Sequence, residues 1–301
     1  MIIDSHAHMS MYKFDNTFPY LALDENGRCI RTDGDRELVI ARMKESGITR
    51  VIEPAITCRS NQDVLDLAAK YPGLIYPAVG VHPRYVYGDI RITKAQTEKT
   101  KWSDRNRVKS WSAGKNVVAI GETGLDYHYR WDPRFKCAQK KWFRYQIRLA
   151  EKRDLPLILH IRDADEDAIR ILTRYRKKLR GGVVHCFCGD ADTAGKYLEL
   201  GLHLGIGGAL LQDEERSAPL REAVKAAPLE RILIETDAPY VLPCKDRFEA
   251  DVRRKNLRNS PLLLPLVIRE IAAIKGLAPE DVERAVYENT VRLFRLERSS
   301  T

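Results

Sequence analysis

The chain has 301 residues, 44% of them apolar, which is enough to bury a large core. Its formal charge of +9 and isoelectric point near 9.2 favour encounter with polyanions such as nucleic acid, although a basic balance alone names no substrate. No run of about 18 uncharged apolar residues occurs, so the sequence offers no membrane-spanning helix.

The richest apolar run, 261–274, is broken by Pro265, Arg269 and Glu270 and reads as a buried helix. The N-terminus enters its first strand without a secretory signal, so a cytoplasmic location is expected. Six cysteines without CxxC spacing point to reduced thiols. Cys186 and Cys188 flank Phe187 just after His185, where a soft metal site is conceivable and ordinary packing is the better-supported role.

In chain order, eight short β-branched runs are predicted as strands: 2–4, 50–56, 74–81, 116–122, 155–161, 181–187, 202–208 and 231–237. Most are apolar throughout, as parallel strands covered by helices must be. Between and after them, helices are predicted over 35–47, 61–73, 133–153, 163–180, 190–201, 219–227, 261–275 and 279–294. The polar stretch 88–115 gives no assignable period. Eight alternations of strand and helix predict an α/β chain folded as one (β/α)8 TIM barrel over residues 1–301, with elaborated rim loops.

Reactive residues fall at the ends of these runs. His6 and His8 stand two apart on one strand face, with Asp4 on the same face, so that their imidazoles can share an ion. His82 follows the third run, Glu122 ends the fourth, His160 the fifth, His185 the sixth and Asp237 the eighth. In a closed parallel barrel these ends converge on the rim where barrel enzymes carry out their chemistry. Glu122 lies in a strand covered on both faces and needs a cation, and its two oxygens suit a pair of metal ions. Asp237 suits metal binding and proton abstraction from water, with Glu235 deeper on the same face to orient it or a histidine. Arg162, two after His160, either grips a phosphate oxygen or pairs with Asp163 or Asp165. His82 is expected apart from the metal cluster, acting on substrate or serving a structural role with Pro83.

The blocks DSHAH, GVHP, GETGLDYH, LHIRDA, HCFCG, ETDAPY, RNSPLLLP and ENTVRLF, in this order along the whole chain, resemble the TatD family of metal-dependent deoxyribonucleases within the amidohydrolase superfamily. The resemblance implies one metal held by His6, His8, Glu122 and Asp237 and a second held by His160 and His185 with Glu122 shared. It places His82, Arg162 and Glu235 around the substrate. Two divalent ions (Mg, Mn or Zn) would activate water against a DNA phosphodiester, on single strands or 3′ ends, in a monomer or weak oligomer. An amidohydrolase, esterase or lactonase acting on a small molecule is the alternative, and a non-catalytic nucleic-acid-binding barrel a further one. Segments 10–34 and 84–115 are longer than the family's usual loops and are expected near the rim. The basic run 252–258, with Arg253 and Arg254, is expected to hold flanking phosphates there, whereas 174–180 belongs to the opposite end.

Overall fold

The computed structural model describes residues 1–86, 100–128, 133–243, 245–248 and 256–297. Arg253, Arg254, Cys244 and the 87–99 part of the second long segment lie outside the described residues.

In chain order the elements are β1 (Ile2–Asp4), β2 (Phe18–Leu23), β3 (Cys29–Gly34), α1 (Arg36–Glu45), β4 (Ile48–Pro54), α2 (Ser60–Lys70), β5 (Ile75–Val79), α3 (Arg105–Trp111), β6 (Ala119–Asp126) and α4 (Pro133–Arg153). They continue with β7 (Leu157–Arg162), α5 (Asp165–Arg174), β8 (Gly182–Val184), α6 (Ala191–Glu199), β9 (His203–Ile206), α7 (Glu214–Ala226), β10 (Ile232–Ile234), α8 (Leu264–Lys275) and α9 (Pro279–Phe294). Eight parallel strands follow the order β1-β4-β5-β6-β7-β8-β9-β10, the arrangement of a (β/α)8 TIM barrel. Among the described residues no helix is long and apolar enough to cross a membrane.

The eight predicted strands are all present, with one change that bears on function. β6 starts at Ala119 and runs to Asp126 rather than stopping at Glu122. The reason is Gly124, whose φ of 140 no L side chain adopts readily; a Cβ there would lie 2.1 Å from the His160 carbonyl oxygen. Without that Cβ, β6 pairs onward with β7, Gly124 opposite His160 and Asp126 opposite Arg162. α7 likewise begins earlier than the predicted 219, at Glu214. The Asp213 side chain caps it by accepting from the Arg216 amide, and the helix continues through Pro219, whose missing N–H forgoes the bond to the Glu215 carbonyl.

The chain divides into two compact units. The first comprises Met1–Glu53, Cys186–Gly195 and Leu204–Val291. In it β1 pairs with β4 and β9 with β10. Segment 10–34, expected only as a loop longer than usual, contains the antiparallel hairpin β2–β3, closed by a turn in which Asp24 accepts from the Asn26 and Arg28 amides and Gly27 takes φ 74. The hairpin is held by residues of the RNSPLLLP block. The Leu21 amide donates to the Arg258 carbonyl and the Ser260 hydroxyl to the Leu21 carbonyl.

The second unit comprises Pro54–His185, Lys196–His203 and Arg292–Thr301. Here β5, β6, β7 and β8 pair in succession. The 100–115 part of the other long segment, which carried no readable period, holds the helix α3. Helix α4 is bound to the strand ends by buried amides. Gln146 brackets Val81, accepting its N–H at 2.8 Å and donating to its carbonyl at 3.0 Å, and Gln139 does the same for Asp126. Asn61 brackets Gly80. Each such bond contributes about 1 kcal/mol, but leaving the buried partner unsatisfied costs about 1–3 kcal/mol, so these amides fix the backbone beside His82 and Glu122.

Candidate functional site

Each unit carries its own cluster of ligand-type side chains. In the first, His6 and His8 follow β1 and Asp237 follows β10. Backbone pairing joins these segments: the Asp237 amide donates to the His6 carbonyl at 2.9 Å and the His8 amide to the Ala238 carbonyl at 2.7 Å. The Asp4 carboxyl staples them from below, accepting from the Thr236 hydroxyl at 2.5 Å and from the Thr236 and His6 amides. Burial pushes Asp4 up to about 8.

The two Nε2 atoms of His6 and His8 lie 3.3 Å apart, with Asp237 Oδ1 3.7 Å from the first and 3.4 Å from the second. Asp237 takes φ 54, a left-handed conformation that aspartate tolerates better than most residues and that costs on the order of 1 kcal/mol. Both histidines are buried, whereas the Asp237 side chain keeps 15% of its surface. Glu235 is fully buried and accepts a short hydrogen bond from the Cys186 amide, one residue beyond His185 in the chain. Sequence reasoning overlooked Glu53, whose carboxylate accepts from the Met9 and Ser10 amides and the Ser10 hydroxyl and so fixes the chain just after His8. Burial raises its pKa.

In the second unit the expected residues Glu122, His160 and His185 meet, and His82 joins them. Glu122 Oε1 lies 2.8 Å from His185 Nε2, 3.1 Å from His160 Nδ1 and 3.5 Å from His82 Nε2. The His82 and His160 rings are 4.1 Å apart, which corrects the expectation that His82 stands away from the ligand cluster. The backbone accounts for this, since the His82 amide pairs with the Ile56 carbonyl and the Glu122 amide with the Ala55 carbonyl, one residue earlier. Asp126 is the residue that the sequence reading missed: its Oδ2 is 3.2 Å from His160 Nε2. Period two from Glu122 through Gly124 reaches it, and stopping the strand at the glycines hid it.

His160 has one ring N–H when neutral, and Asp126 claims it at Nε2. Its Nδ1 lone pair then faces a carboxylate oxygen and, at 3.1 Å, His185 Nε2. Such a convergence of lone pairs is repulsive unless a positive ion or proton sits among them. Burial would raise the Glu122 pKa, but the imidazoles of His185, His82 and His160 hold it well below the usual carboxylate range. Burial would lower that of His160, but its hydrogen bonds to Asp126 and Glu122 raise it. The donor set of Glu122, His160 and His185 lies within 4.8 Å throughout and can hold a metal ion; mixed imidazole and carboxylate donors suit zinc or manganese.

His82 differs in kind. Its Nδ1 accepts the Arg84 amide at 3.1 Å, which assigns the ring hydrogen to Nε2 and points a donor toward Glu122. Burial and then the His160 charge hold its pKa well below the ordinary value, so the ring is neutral. Arg162 is exposed at the end of β7. The two acids that the sequence offered it have other partners: Asp163 meets His128 Nδ1 at 2.7 Å and Asp165 accepts from the Tyr197 hydroxyl at 2.7 Å.

Comparison with known proteins agrees with this chemistry. The family model described as TatD related DNase matches residues 3–295. An uncharacterized metal-dependent hydrolase, YabD of Bacillus subtilis, is 32% identical over 98% of this chain and 100% of its own length. The 3′-5′ ssDNA/RNA exonuclease TatD of Yersinia pseudotuberculosis is 33% identical over 87% of this chain and 94% of its own. The crystal structure of YJJV, a TatD homologue from Escherichia coli, superposes with a TM-score of 0.78 at 27% identity, covering 98% of both chains. The chain belongs to the TatD-related DNase family of metal-dependent hydrolases.

Proposed function

We propose that the chain is an exonuclease that hydrolyses phosphodiester bonds at the 3′ end of single-stranded DNA, acting as one catalytic domain, as a monomer, in the cytoplasm. Two ions are needed, one held by His6, His8 and Asp237 and one by Glu122, His160 and His185. Bound divalent ions supply Lewis acidity toward a phosphoryl oxygen and lower the pKa of water.

The residues of the chain do the rest. Asp237, the least buried of the three donors around it, takes the proton from the attacking water. Neutral His82 donates its Nε2–H to the phosphate oxygen that gains charge, and Arg162 offers a forked cation to another. Glu235, through the Cys186 amide, positions the backbone that follows His185. The observation that supports the reading most is the packing of three imidazoles around one buried carboxylate oxygen, an arrangement that favours a cation. The relatives named as ssDNA/RNA exonucleases supply the substrate class.

The test is digestion of single-stranded DNA labelled at the 5′ end, with and without chelator, by the wild type and by Asp237→Asn. Stepwise shortening from the 3′ end, abolished by chelation and by the substitution, is expected. Turnover of ester or amide panels with intact DNA would replace this reading with the small-molecule one.

A further inference from the structure

The positive charge of the chain is concentrated in two helices. α3 and α4 hold eleven lysines and arginines against one acid, Glu151, a net of +10. The whole chain is +9, so everything else sums to −1. The helices lie side by side within the second unit: the Tyr145 hydroxyl donates to the Arg105 carbonyl at 2.7 Å, and Arg153 donates to the Lys109 carbonyl at 2.8 Å.

A basic helix face is ordinarily solvated and laced with acids, but the sequence of these helices supplies almost none. Lys140 pairs with Asp167 of α5 at 2.6 Å, and aromatic rings hold several of the other cations. Lys141 sits 4.1 Å and Arg105 5.2 Å from the Trp102 ring, Arg107 5.0 Å from Trp111, and Lys136 4.3 Å from Tyr127. A cation over a ring is held in place without being neutralised, so the face keeps its field while presenting half-buried tryptophans at both ends of α3. This is the combination that binds single-stranded nucleic acid: cations for phosphates and rings for bases that only an unpaired strand exposes.

The face is also tied to the catalytic cluster. The Thr100 amide, two residues before Trp102, donates to the Tyr85 carbonyl at 3.0 Å, and the Tyr85 ring stands edge-on to His82 at 5.9 Å. We infer that α3 and α4 form a track for single-stranded DNA leading away from His82, with Arg105 and Lys141 on phosphates and Trp102 stacked on a base. The inference rests on the nuclease reading for its substrate and extends it to a surface outside the reacting groups.

The test is fluorescence anisotropy in chelator, where no turnover occurs, with labelled single strands of about 20 and about 4 nucleotides. Arg105→Glu with Lys141→Glu should weaken binding of the long strand at least ten-fold. It should also flatten the plot of log affinity against log salt by about 1.4, or 0.7 per lost cation. Trp102→Ala should lose about ten-fold for the single strand and little for a duplex, and Trp102→Phe should restore it. The charge change Arg176→Glu with Lys177→Glu, on a neighbouring turn of the same unit, should leave binding intact. Thermal melts establish that each variant is folded, and Arg105→Gln with Lys141→Gln replaces a charge reversal that is not. Unchanged affinity in a folded Arg105/Lys141 variant, or an equal loss in the Arg176/Lys177 control, overturns the track. A wild type that binds DNA by this face but cleaves none refutes the nuclease reading instead.

Discussion

Replacing Asp126 by asparagine tests how one ion is held. Asp126 is 2% exposed, and its two oxygens have separate duties: Oδ1 accepts the His128 amide at 3.1 Å and Oδ2 faces His160 Nε2 at 3.2 Å. Asparagine keeps one oxygen. If that oxygen stays on the His128 amide, the side-chain NH2 turns toward His160 Nε2, which must then carry a lone pair. His160 then shifts its hydrogen to Nδ1, the nitrogen 3.1 Å from Glu122, and closes the position a metal needs. If the amide flips, two donors confront each other at His128 instead. Either way a charge-assisted bond orienting a ligand is lost, which typically lowers metal affinity about 10- to 100-fold, or about 1.4–2.7 kcal/mol. The fold should survive, because Gln139 holds the Asp126 backbone independently of the side chain. Competition titration with a chromophoric chelator should show one of two ions weakened and the other unchanged, with activity recovered at high metal. Two ions bound at wild-type affinity would refute the account of His160.

Other consequences are as direct. His82→Ala should lower kcat by about 100-fold with metal content unchanged, because His82 acts as a donor; loss of an ion on elemental analysis would make it a ligand instead. Gly124→Ala drives a Cβ to within 2.1 Å of the His160 carbonyl at φ 140, and should destabilise the protein by about 3 kcal/mol or more; an unaltered thermal midpoint would count against the β6–β7 geometry. The His160 pKa is raised in the metal-free protein, so the ring keeps its proton above the ordinary histidine value and an ion must displace it. Apparent affinity should therefore fall as pH drops, by up to about ten-fold per unit below that pKa. Calorimetry in buffers of different ionisation enthalpy should register protons released on metal binding, and none released would contradict the assignment.

Much of the barrel was legible because parallel strands buried on both faces must be apolar runs, and helices between them must carry a 3.6-residue period. His6, His8, Glu122, His160, His185 and Asp237 could be singled out because each interrupts or ends such a run. Asp126 was hidden by Gly124, which reads as a breaker although it permits two strands to approach closely. The place of His82 beside His160 depends on the pairing of Ile56 and His82, a long-range register that local sequence does not encode. The hairpin β2–β3 escaped because β3 mixes charged residues with apolar ones and β2, which contains Pro19, relies on residues 258–260 for support. The charge of α4 was overlooked because its eight cations are spread over 21 residues, while the shorter run 174–180 is denser.

The most direct measurement is the metal content of the purified protein, followed by removal and graded return of each ion during digestion of single-stranded DNA. The account predicts two ions per chain, no cleavage after removal, and activity that returns only as the second equivalent of zinc, manganese or magnesium binds. Full cleavage by metal-free protein, or a chain that binds no divalent ion, would contradict it.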